Sequence, residues 1–283
     1  MSNDKRIMEG VDSVAELRKK IARLEEENHI LRDKLVQVNK ERAEYLQNVS
    51  HQLVAPLNAI KWHIENLTEA RVGYERATKV LKSIYSQATI AVHLAKNFNL
   101  MSNLEADHAL TALKEPLQEV KLYRLLINLA DDFQPLAWEK DIRIKVTRTE
   151  FETAPAVLAM RPLISQVFSN IIENAVKYSK PFTEILIDGN HNPQADTVVV
   201  RIRNSGITLP SEDCTRIFDR GFRSGEAKSL YPAGTGFGLY IAKRIVEIHE
   251  GSIRAQMDEA GRVIFTVELT VCSLEGKARK LVR

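Results

Sequence analysis

Residues 170–179 read NIIENAVKYS, a pattern that predicts a helix with one apolar and one polar face. Asn170, Asn174 and Lys177 are spaced by four and three residues, so a helix places them on one face. Two amides and one ammonium group suit phosphate oxygens and a hydrated Mg²⁺, which takes oxygen ligands and keeps waters. The ring of Tyr178 can lie against a planar base. An ordinary solvated face is the alternative interpretation.

Two glycine-rich loops follow along the chain. NSG occupies residues 204–206, and GTGFG at residues 234–238 runs directly into a predicted helix. Glycines let backbone N–H groups approach phosphates, and a helix N-terminus favours anions. Residues 218–233 lie between the loops, carry Arg220 and Arg223, and have no clear periodicity. This segment is therefore predicted to be a mobile lid.

The elements around these loops predict one α/β domain. Helices are combined with mainly antiparallel strands, which favours an α/β sandwich. No P-loop or dinucleotide-binding glycine pattern follows a predicted strand. The predicted helices are 122–139, 162–178 and 238–250, and the predicted strands are 142–147, a short one near Val157, 184–188, 198–203, 252–257 and 263–270.

The first part of the chain carries a heptad pattern, which predicts a coiled coil. Asn28 falls at an a position, where a buried amide favours a two-stranded parallel coil. A single long helix packed on the protein's own core is the alternative. The seam consists of Val14, Leu17, Ile21, Leu24, Asn28, Leu31, Leu35, Val38, Arg42, Tyr45 and Val49.

A helical hairpin is predicted beyond Val49. The steps from Tyr45 to Val49 and on to Leu53 are both of four residues, a stutter that locally unwinds a coil. Pro56 lies at this shift and is expected to weaken or bend the helix. A turn near Gly73 leads to a second helix, and two such hairpins form a four-helix bundle.

His51 lies between Val49 and Leu53, both predicted to face the bundle core. Each residue turns a helix by about 100°, so His51 lies about 200° from either neighbour and faces solvent. An exposed neutral imidazole can act as a nucleophile. Position alone does not distinguish this role from that of an ordinary surface histidine.

Composition is that of an ordinary soluble globular protein. Hydrophobic residues make up 44%, charged residues 27%, and the formal net charge is +3. This charge, without a basic patch interleaved with aromatics, argues against nucleic acid. Cys214 and Cys272 lack metal-type spacing, which indicates reduced thiols and a cytoplasmic location. No run approaches the roughly 18 apolar residues of a membrane span, and no signal peptide opens the chain.

Five segments, in this order and spacing, resemble the sequence boxes of bacterial sensor histidine kinases. QNVSHQLVAPLNAI resembles the phospho-acceptor box and NIIENAVKYS the asparagine box. NSGITLP and GTGFGLYIAKRIVEIHEG resemble the two glycine boxes, and IFDRGF the phenylalanine box. The resemblance covers about residues 45–272. It implies an ATP-binding domain of the Bergerat fold, which gyrase-like ATPases share.

The resemblance implies roles for individual residues. His51 would be the phospho-acceptor, with Gln52 beside it in the catalytic site. Asn174 would bind Mg²⁺, and Tyr178 would stack on adenine. Asn170 occupies the position of a catalytic Glu in hydrolytic relatives, which fits transfer to histidine. The other residues expected to contact ATP or to shape the loops around it are Lys177, Asn204, Gly206, Arg220, Arg223, Gly234, Thr235, Gly236, Gly238 and Leu239.

Several positions depart from the family pattern. Gln52 replaces a carboxylate and cannot accept the imidazole proton, so slow autophosphorylation is expected. Ala55 replaces the Thr or Asn that positions water, which predicts weak phosphatase activity. Asn204 replaces Asp and removes a charge from adenine recognition, so ATP is expected to bind less tightly. Gly221 replaces a bulky residue and is expected to loosen the lid.

These patterns predict a multi-domain protein, with an all-α coiled coil and a four-helix-bundle dimer followed by an α/β sandwich. The predicted segments are a flexible N-terminus (1–13), a parallel dimeric coiled coil acting as a signalling helix (14–44), a dimerisation and histidine phosphotransfer domain (45–108), a linker (109–117), a catalytic ATP-binding domain (118–272) and a basic C-terminal tail (273–283).

The predicted function is a cytoplasmic, homodimeric histidine kinase that uses ATP and Mg²⁺. It would phosphorylate His51 and pass the phosphoryl group to an Asp of a response regulator receiver domain. The signal would come from a separate input protein on the coiled coil or from a larger receptor containing this chain. Gln52 and Asn204 motivate the main alternative, a catalytically weak or inactive dimeric scaffold that binds a receiver domain or partner kinase. An ATP-driven clamp and a serine kinase of the same fold are further alternatives.

Overall fold

The computed structural model describes residues 2–69, 73–105, 116–148, 150–232 and 234–271. Nothing is described of the side chains of residues 2–18, 41–42, 69 and 103–105. Most of the predicted linker, the predicted basic tail and Cys272 therefore lie outside the described residues. The chain divides into two compact units between Asn48 and Val49.

The helices and strands are numbered in chain order. The helices are α1 (Ser2–Glu69), α2 (Tyr74–Glu105), α3 (Leu122–Trp138), α4 (Arg161–Tyr178), α5 (Asp213–Arg216), α6 (Gly225–Leu230) and α7 (Gly238–Ile248). The strands are β1 (Gln118–Val120), β2 (Arg143–Val146), β3 (Val157–Ala159), β4 (Glu184–Asn192), β5 (Thr197–Asn204), β6 (Ser252–Met257) and β7 (Val263–Thr270).

Helix α1 is longer and less interrupted than the sequence suggests. It begins at Ser2, where the sequence predicts a flexible terminus at residues 1–13. That stretch has no proline and a single glycine, Gly10, so it holds no strong helix breaker. The helix also continues through Pro56, which is buried. Packing of the ring offsets the backbone hydrogen bond that a proline removes.

A five-stranded mixed sheet forms the centre of the domain that follows the hairpin. Its order is β2-β4-β5-β7-β6. β2 pairs with β4 in parallel, and the other neighbours are antiparallel. β1 and β3 form a separate antiparallel pair. Helices α3, α4 and α7 pack their apolar faces against buried residues of the sheet such as Ile187 and Ile202. This arrangement confirms the predicted α/β sandwich.

Strand β4 extends to Asn192, although the sequence predicts an end at Asp188. Its last residues have low strand preference, but pairing with β5, including Asn192 opposite Thr197, overrides that preference. Gly189 is required within the strand, because an added Cβ would stand 2.5 Å from Cδ2 of Phe151. The buried ring of Phe151 therefore occupies the place of a side chain on β4.

No helix within the described ranges is long and apolar enough to cross a membrane. Helix α1 is 68 residues long, but its mean hydropathy is low and charged residues recur along it.

Candidate active site

A cavity beside α4 is lined by residues of the hairpin, of α4 and of both glycine loops. We call it the α4 cavity. Pro162 lies in the first turn of α4, where its missing N–H costs nothing. The apolar face of the helix is fully buried, which leaves the polar face towards the cavity. The predicted site residues in its wall are Gln52, Asn170, Asn174, Lys177, Tyr178, Asn204, Arg223, Gly234, Thr235, Gly236, Gly238 and Leu239.

Two predicted ATP-binding residues, Gly206 and Arg220, are not among the lining residues. The guanidinium of Arg220 lies over the ring of Phe237, at 5.8 Å from its centroid. Gly206 lies against the end of α4, where an added Cβ would stand 2.1 Å from the carbonyl oxygen of Tyr178. Gly206 therefore shapes the site by allowing a close backbone approach.

The loop of Gly206 holds the two residues predicted to bind a base. The backbone N–H of Ile207 donates to the carbonyl oxygen of Tyr178 at 3.2 Å. Asn204, buried at the end of β5, donates from Nδ2 to Oγ of Ser179 at 3.2 Å. These bonds fix Tyr178 and Asn204 in one wall of the α4 cavity.

His51 is exposed on α1, as the helical geometry predicts. It lines a second cavity, the His51 cavity, together with Ala55 and Tyr231. The two cavities share part of their walls, because the residues that line both are Gln52, Leu94, Glu173, Lys177 and Gly234. The space in front of His51 therefore adjoins the α4 cavity.

Positive charge is concentrated at this junction. Burial lowers the pKa of Lys177, and although Glu173 opposes this shift, the nearby cations Arg223 and Lys140 lower the pKa further. Burial raises the pKa of Tyr178, so its hydroxyl stays protonated near neutral pH. The junction thus combines ammonium and guanidinium groups with a neutral aromatic wall, which suits an anion attached to a planar ring.

Lys140 joins the end of α4 to the lid, a connection that the sequence did not reveal. Its Nζ donates to the carbonyl oxygens of Val176 at 3.2 Å and Lys177 at 2.6 Å. The same Nζ donates to the hydroxyl of Tyr231 in the lid at 2.6 Å. The ring of Tyr231 stands edge-on to Tyr178, with centroids 5.6 Å apart. The sequence does not predict this contact, because Lys140 and Tyr231 are isolated residues that belong to no recognisable motif.

Hydrogen bonds from Arg223, a residue expected to contact ATP, hold the lid together. Its guanidinium donates to the carbonyl oxygens of Ala227 at 2.8 Å and of Pro232 and Gly234, both at 2.9 Å. It also donates to the carbonyl oxygen of Tyr231. These bonds and the short helix α6 give a defined fold to a segment that the sequence predicts to lack regular structure.

The lid and the second glycine loop approach each other at Gly221 and Gly236. Gly221 and Gly236 have φ values of +71° and +73°, which favour glycine. A Cβ on Gly236 would stand 2.7 Å from the carbonyl carbon of Gly221. Gly236 therefore allows the second glycine loop to approach the lid closely. A Cβ on Gly221 would meet only Cζ of Phe237, at 3.9 Å, so a glycine is favoured there by its φ value and not by lack of space.

A chain of five polar side chains connects α2 with α4, and it is not predicted by any pattern in the sequence. We call His93, Asn97, Gln166, Asn170 and Glu173 the α2–α4 cluster. His93 Nε2 lies 2.8 Å from Oε2 of Glu173. Gln166 Nε2 donates to His93 Nδ1 at 3.1 Å and to Asn97 Oδ1 at 2.9 Å. Asn97 Nδ2 then donates to Asn170 Oδ1 at 2.8 Å.

Glu173 is the charged end of this cluster. Burial by itself would raise the pKa of its carboxyl group, but the charge and hydrogen bond of His93 and the charge of Lys177 outweigh burial. The pKa of Glu173 is therefore lowered, and the group is a carboxylate that can only accept hydrogen bonds.

The residues of the α4 cavity fit a nucleotide. Asn170 is 1% exposed, and its Nδ2 has no hydrogen-bond partner. A buried donor of this kind is costly unless an acceptor such as a phosphate oxygen meets it. Asn174 carries an amide oxygen, a kind of ligand that Mg²⁺ takes. The donor set therefore suits a polyphosphate with its magnesium ion.

Comparison with known proteins agrees with this geometry. Residues 160–272 match the family of histidine kinase-, DNA gyrase B- and HSP90-like ATPases. The chain is 31% identical over 232 residues to the sensor protein kinase WalK of Staphylococcus aureus, which covers 81% of the chain and 54% of that protein. It is 31% identical to WalK of strain JH9 over 37% of that protein's length. The chain thus spans about half or less of these relatives.

The fold is also found among solved structures. The crystal structure of full-length ShkA in complex with AMPPNP superposes with a TM-score of 0.53 and 21% sequence identity. The match covers 81% of this chain and 46% of ShkA. At this identity the likeness supports the fold, a helical region followed by an α/β domain.

Proposed function

Because the chain belongs to the family of bacterial sensor histidine kinases, we propose that it phosphorylates His51 with ATP and then passes the phosphoryl group to an Asp of a response regulator. The observation that carries this proposal is the wall shared by the His51 cavity and the α4 cavity. This shared wall supports the view that the acceptor histidine and the triphosphate of ATP come together at the junction of the two cavities.

In the proposed step, a lone pair on one imidazole nitrogen of His51 attacks the γ-phosphorus of ATP. The bond from that phosphorus to its bridging oxygen breaks, and ADP leaves with the electron pair. The proton on the other imidazole nitrogen is then lost to water, because the neutral amide of Gln52 cannot take it. Phosphoryl transfer depends chiefly on positioning and charge neutralisation.

The residues of α4 supply both requirements in this proposal. The ammonium of Lys177 and the unpartnered amide of Asn170 donate to phosphate oxygens. Asn174 holds Mg²⁺, which neutralises phosphate charge. The ring of Tyr178 stacks on adenine, while Asn204 accepts from the adenine amine without the charge of an Asp.

We also propose that the protein acts as a homodimer. Seam residues of the first unit are 48–63% exposed, and the set is Ile21, Leu24, Leu31, Leu35 and Val38. Hairpin residues of the second unit are also exposed, such as Leu57 (55%), Leu81 (58%) and Val92 (54%). Apolar rows of this length are stable in water when a second copy covers them. Sedimentation equilibrium at micromolar concentration tests this, and a monomer would contradict it.

Incubation of the full chain with γ-labelled ATP and Mg²⁺ tests the catalytic step. We expect acid-labile, base-stable label in the parent protein and none in His51→Ala. His29→Ala is the matched control, because it removes another exposed histidine of α1. Addition of a phosphorylatable receiver domain should then remove the label from the kinase.

Each alternative function gives a different result in the same experiment. Acid-stable label would indicate a serine kinase. Steady ATP hydrolysis that survives His51→Ala would indicate an ATP-driven clamp. A dimer that binds a receiver domain but takes up no label would indicate the scaffold that Gln52 and Asn204 suggest. In the kinase, Gln52→Glu should speed labelling, because a carboxylate can accept the imidazole proton.

A further inference from the structure

We propose that Asn97, on α2 of the hairpin, is a positioning residue for the nucleotide. It turns the side-chain amide of Asn170 so that the NH₂ group faces the α4 cavity and donates to a phosphate oxygen. This inference rests on the proposed binding of ATP in that cavity. It goes further by assigning a phosphate-orienting role to the helix that carries no residue of the five sequence boxes.

Gln166 and Asn97 link the rest of the α2–α4 cluster to Asn170. His93 Nε2 lies 2.8 Å from Oε2 of Glu173 and 3.2 Å from Nδ2 of Asn97. The Nδ1 atom of His93 lies 3.1 Å from the NH₂ nitrogen of Gln166. The same NH₂ group of Gln166 donates to Oδ1 of Asn97 at 2.9 Å.

The bond from Gln166 to Asn97 fixes the orientation of Asn170. Because the oxygen of Asn97 faces Gln166, its NH₂ group faces Asn170 and donates to Oδ1 at 2.8 Å. A primary amide is planar and holds its oxygen and its nitrogen on opposite sides. The Nδ2 atom of Asn170 is therefore on the side of the amide that does not meet Asn97, and it is buried without a partner.

The surroundings of Asn170 make this orientation important for an anion. Asn170 lines the α4 cavity and is 1% exposed, so water does not compensate its Nδ2. If the amide were reversed, it would present an oxygen to the phosphates and repel them. Asn97 thus determines whether α4 offers a donor or an acceptor at this point. By linkage, a phosphate bound to Asn170 strengthens the contact between α2 and α4.

Equilibrium binding to full-length chains that carry His51→Ala, so that no transfer occurs, tests this inference. Calorimetry would compare ATP with adenosine. Asn97→Ala should weaken ATP binding about tenfold, the effect of losing one well-placed bond to a charged ligand. Adenosine, which has no phosphate, should change by less than about twofold. The ratio of the two affinities does not depend on the fraction of folded protein.

Asn97→Asp should weaken ATP binding more than Asn97→Ala does. A carboxylate accepts from both Gln166 and Asn170, so the amide of Asn170 reverses. Asn99→Asp is the matched control, because it adds the same charge at an exposed position of α2. In an Asn170→Ala background, substitution of Asn97 should have no further effect on ATP affinity.

Four results would overturn the inference. One is ATP affinity that stays within about twofold of the parent in both Asn97 variants. Another is an equal loss for ATP and adenosine, and the third is tighter ATP binding. A parent chain that binds no ATP would also overturn it. If the parent chain binds ATP but labels no histidine, only the proposed kinase function fails, and the binding results still decide the role of Asn97.

Discussion

The contact of Gly206 with α4 gives a quantitative prediction for Gly206→Ala. The new Cβ would stand 2.1 Å from the carbonyl oxygen of Tyr178, so the loop must move by about 1 Å to reach an ordinary contact. Two backbone hydrogen bonds bridge this contact, Ile207 N to Tyr178 O at 3.2 Å and Lys180 N to Ser205 O at 2.9 Å. A shift of that size breaks or badly weakens both bonds.

The expected cost is about 3 kcal/mol. Overpacking costs about 1–3 kcal/mol, and each lost hydrogen bond adds about 0.5–1.5 kcal/mol. For a domain of this size the melting temperature should fall by about 6–12 °C. Nucleotide affinity should fall as well, because the same movement displaces Tyr178 and Asn204.

Differential scanning calorimetry and equilibrium binding of ATP measure the two effects. Gly225→Ala is the control, because a Cβ there has no neighbouring atom within 4 Å. It also lies in a helix, so Ala should be neutral or slightly stabilising. A Gly206→Ala variant that melts within about 1 °C of the parent and binds ATP equally well would refute the reasoning.

Further predictions concern the lid, the bundle and the buried cluster. Tyr231→Phe removes the hydrogen bond to Lys140 and keeps the ring, so a fluorescent ATP analogue should dissociate about tenfold faster in stopped-flow measurements; an unchanged rate would contradict a lid anchor. Ala55→Thr should shorten the half-life of a phosphorylated receiver domain, and no change would contradict the assignment of Ala55. The pKa of Glu173 is lowered from an ordinary value of 4.5, so its stabilisation is present above pH 4.5 and lost as pH falls through the folded pKa. The melting-temperature gap between the parent and Glu173→Gln should therefore narrow below pH 4.5, whereas a constant gap would rule out this contribution.

Local patterns in the sequence were sufficient for much of the site. The spacing of Asn170, Asn174 and Lys177 predicted one helix face, and all three line the α4 cavity. The exposed position of His51 followed from its distance to Val49 and Leu53. These features depend on helix geometry within a few residues, which the order of amino acids determines directly.

Long-range contacts account for what the sequence did not reveal. Asn97 meets Asn170 across 73 positions, and Lys140 meets Tyr231 across 91. Neither pair repeats with a helix or strand period, and both depend on how separate elements pack. Glu173 was also missed, because a carboxylate on a polar helix face has no visible partner in the sequence.

The place that Phe151 takes on strand β4 has a consequence for the order in which the domain folds. Glycine has a low strand preference, but at position 189 its lack of a side chain lets the ring lie against the backbone. The residues after Gly189 also have little strand preference. The outer half of the β4–β5 hairpin therefore gains stability from contact with a residue 38 positions earlier. Loop closure must precede that gain, so mutations in the outer half should change the unfolding rate more than the folding rate.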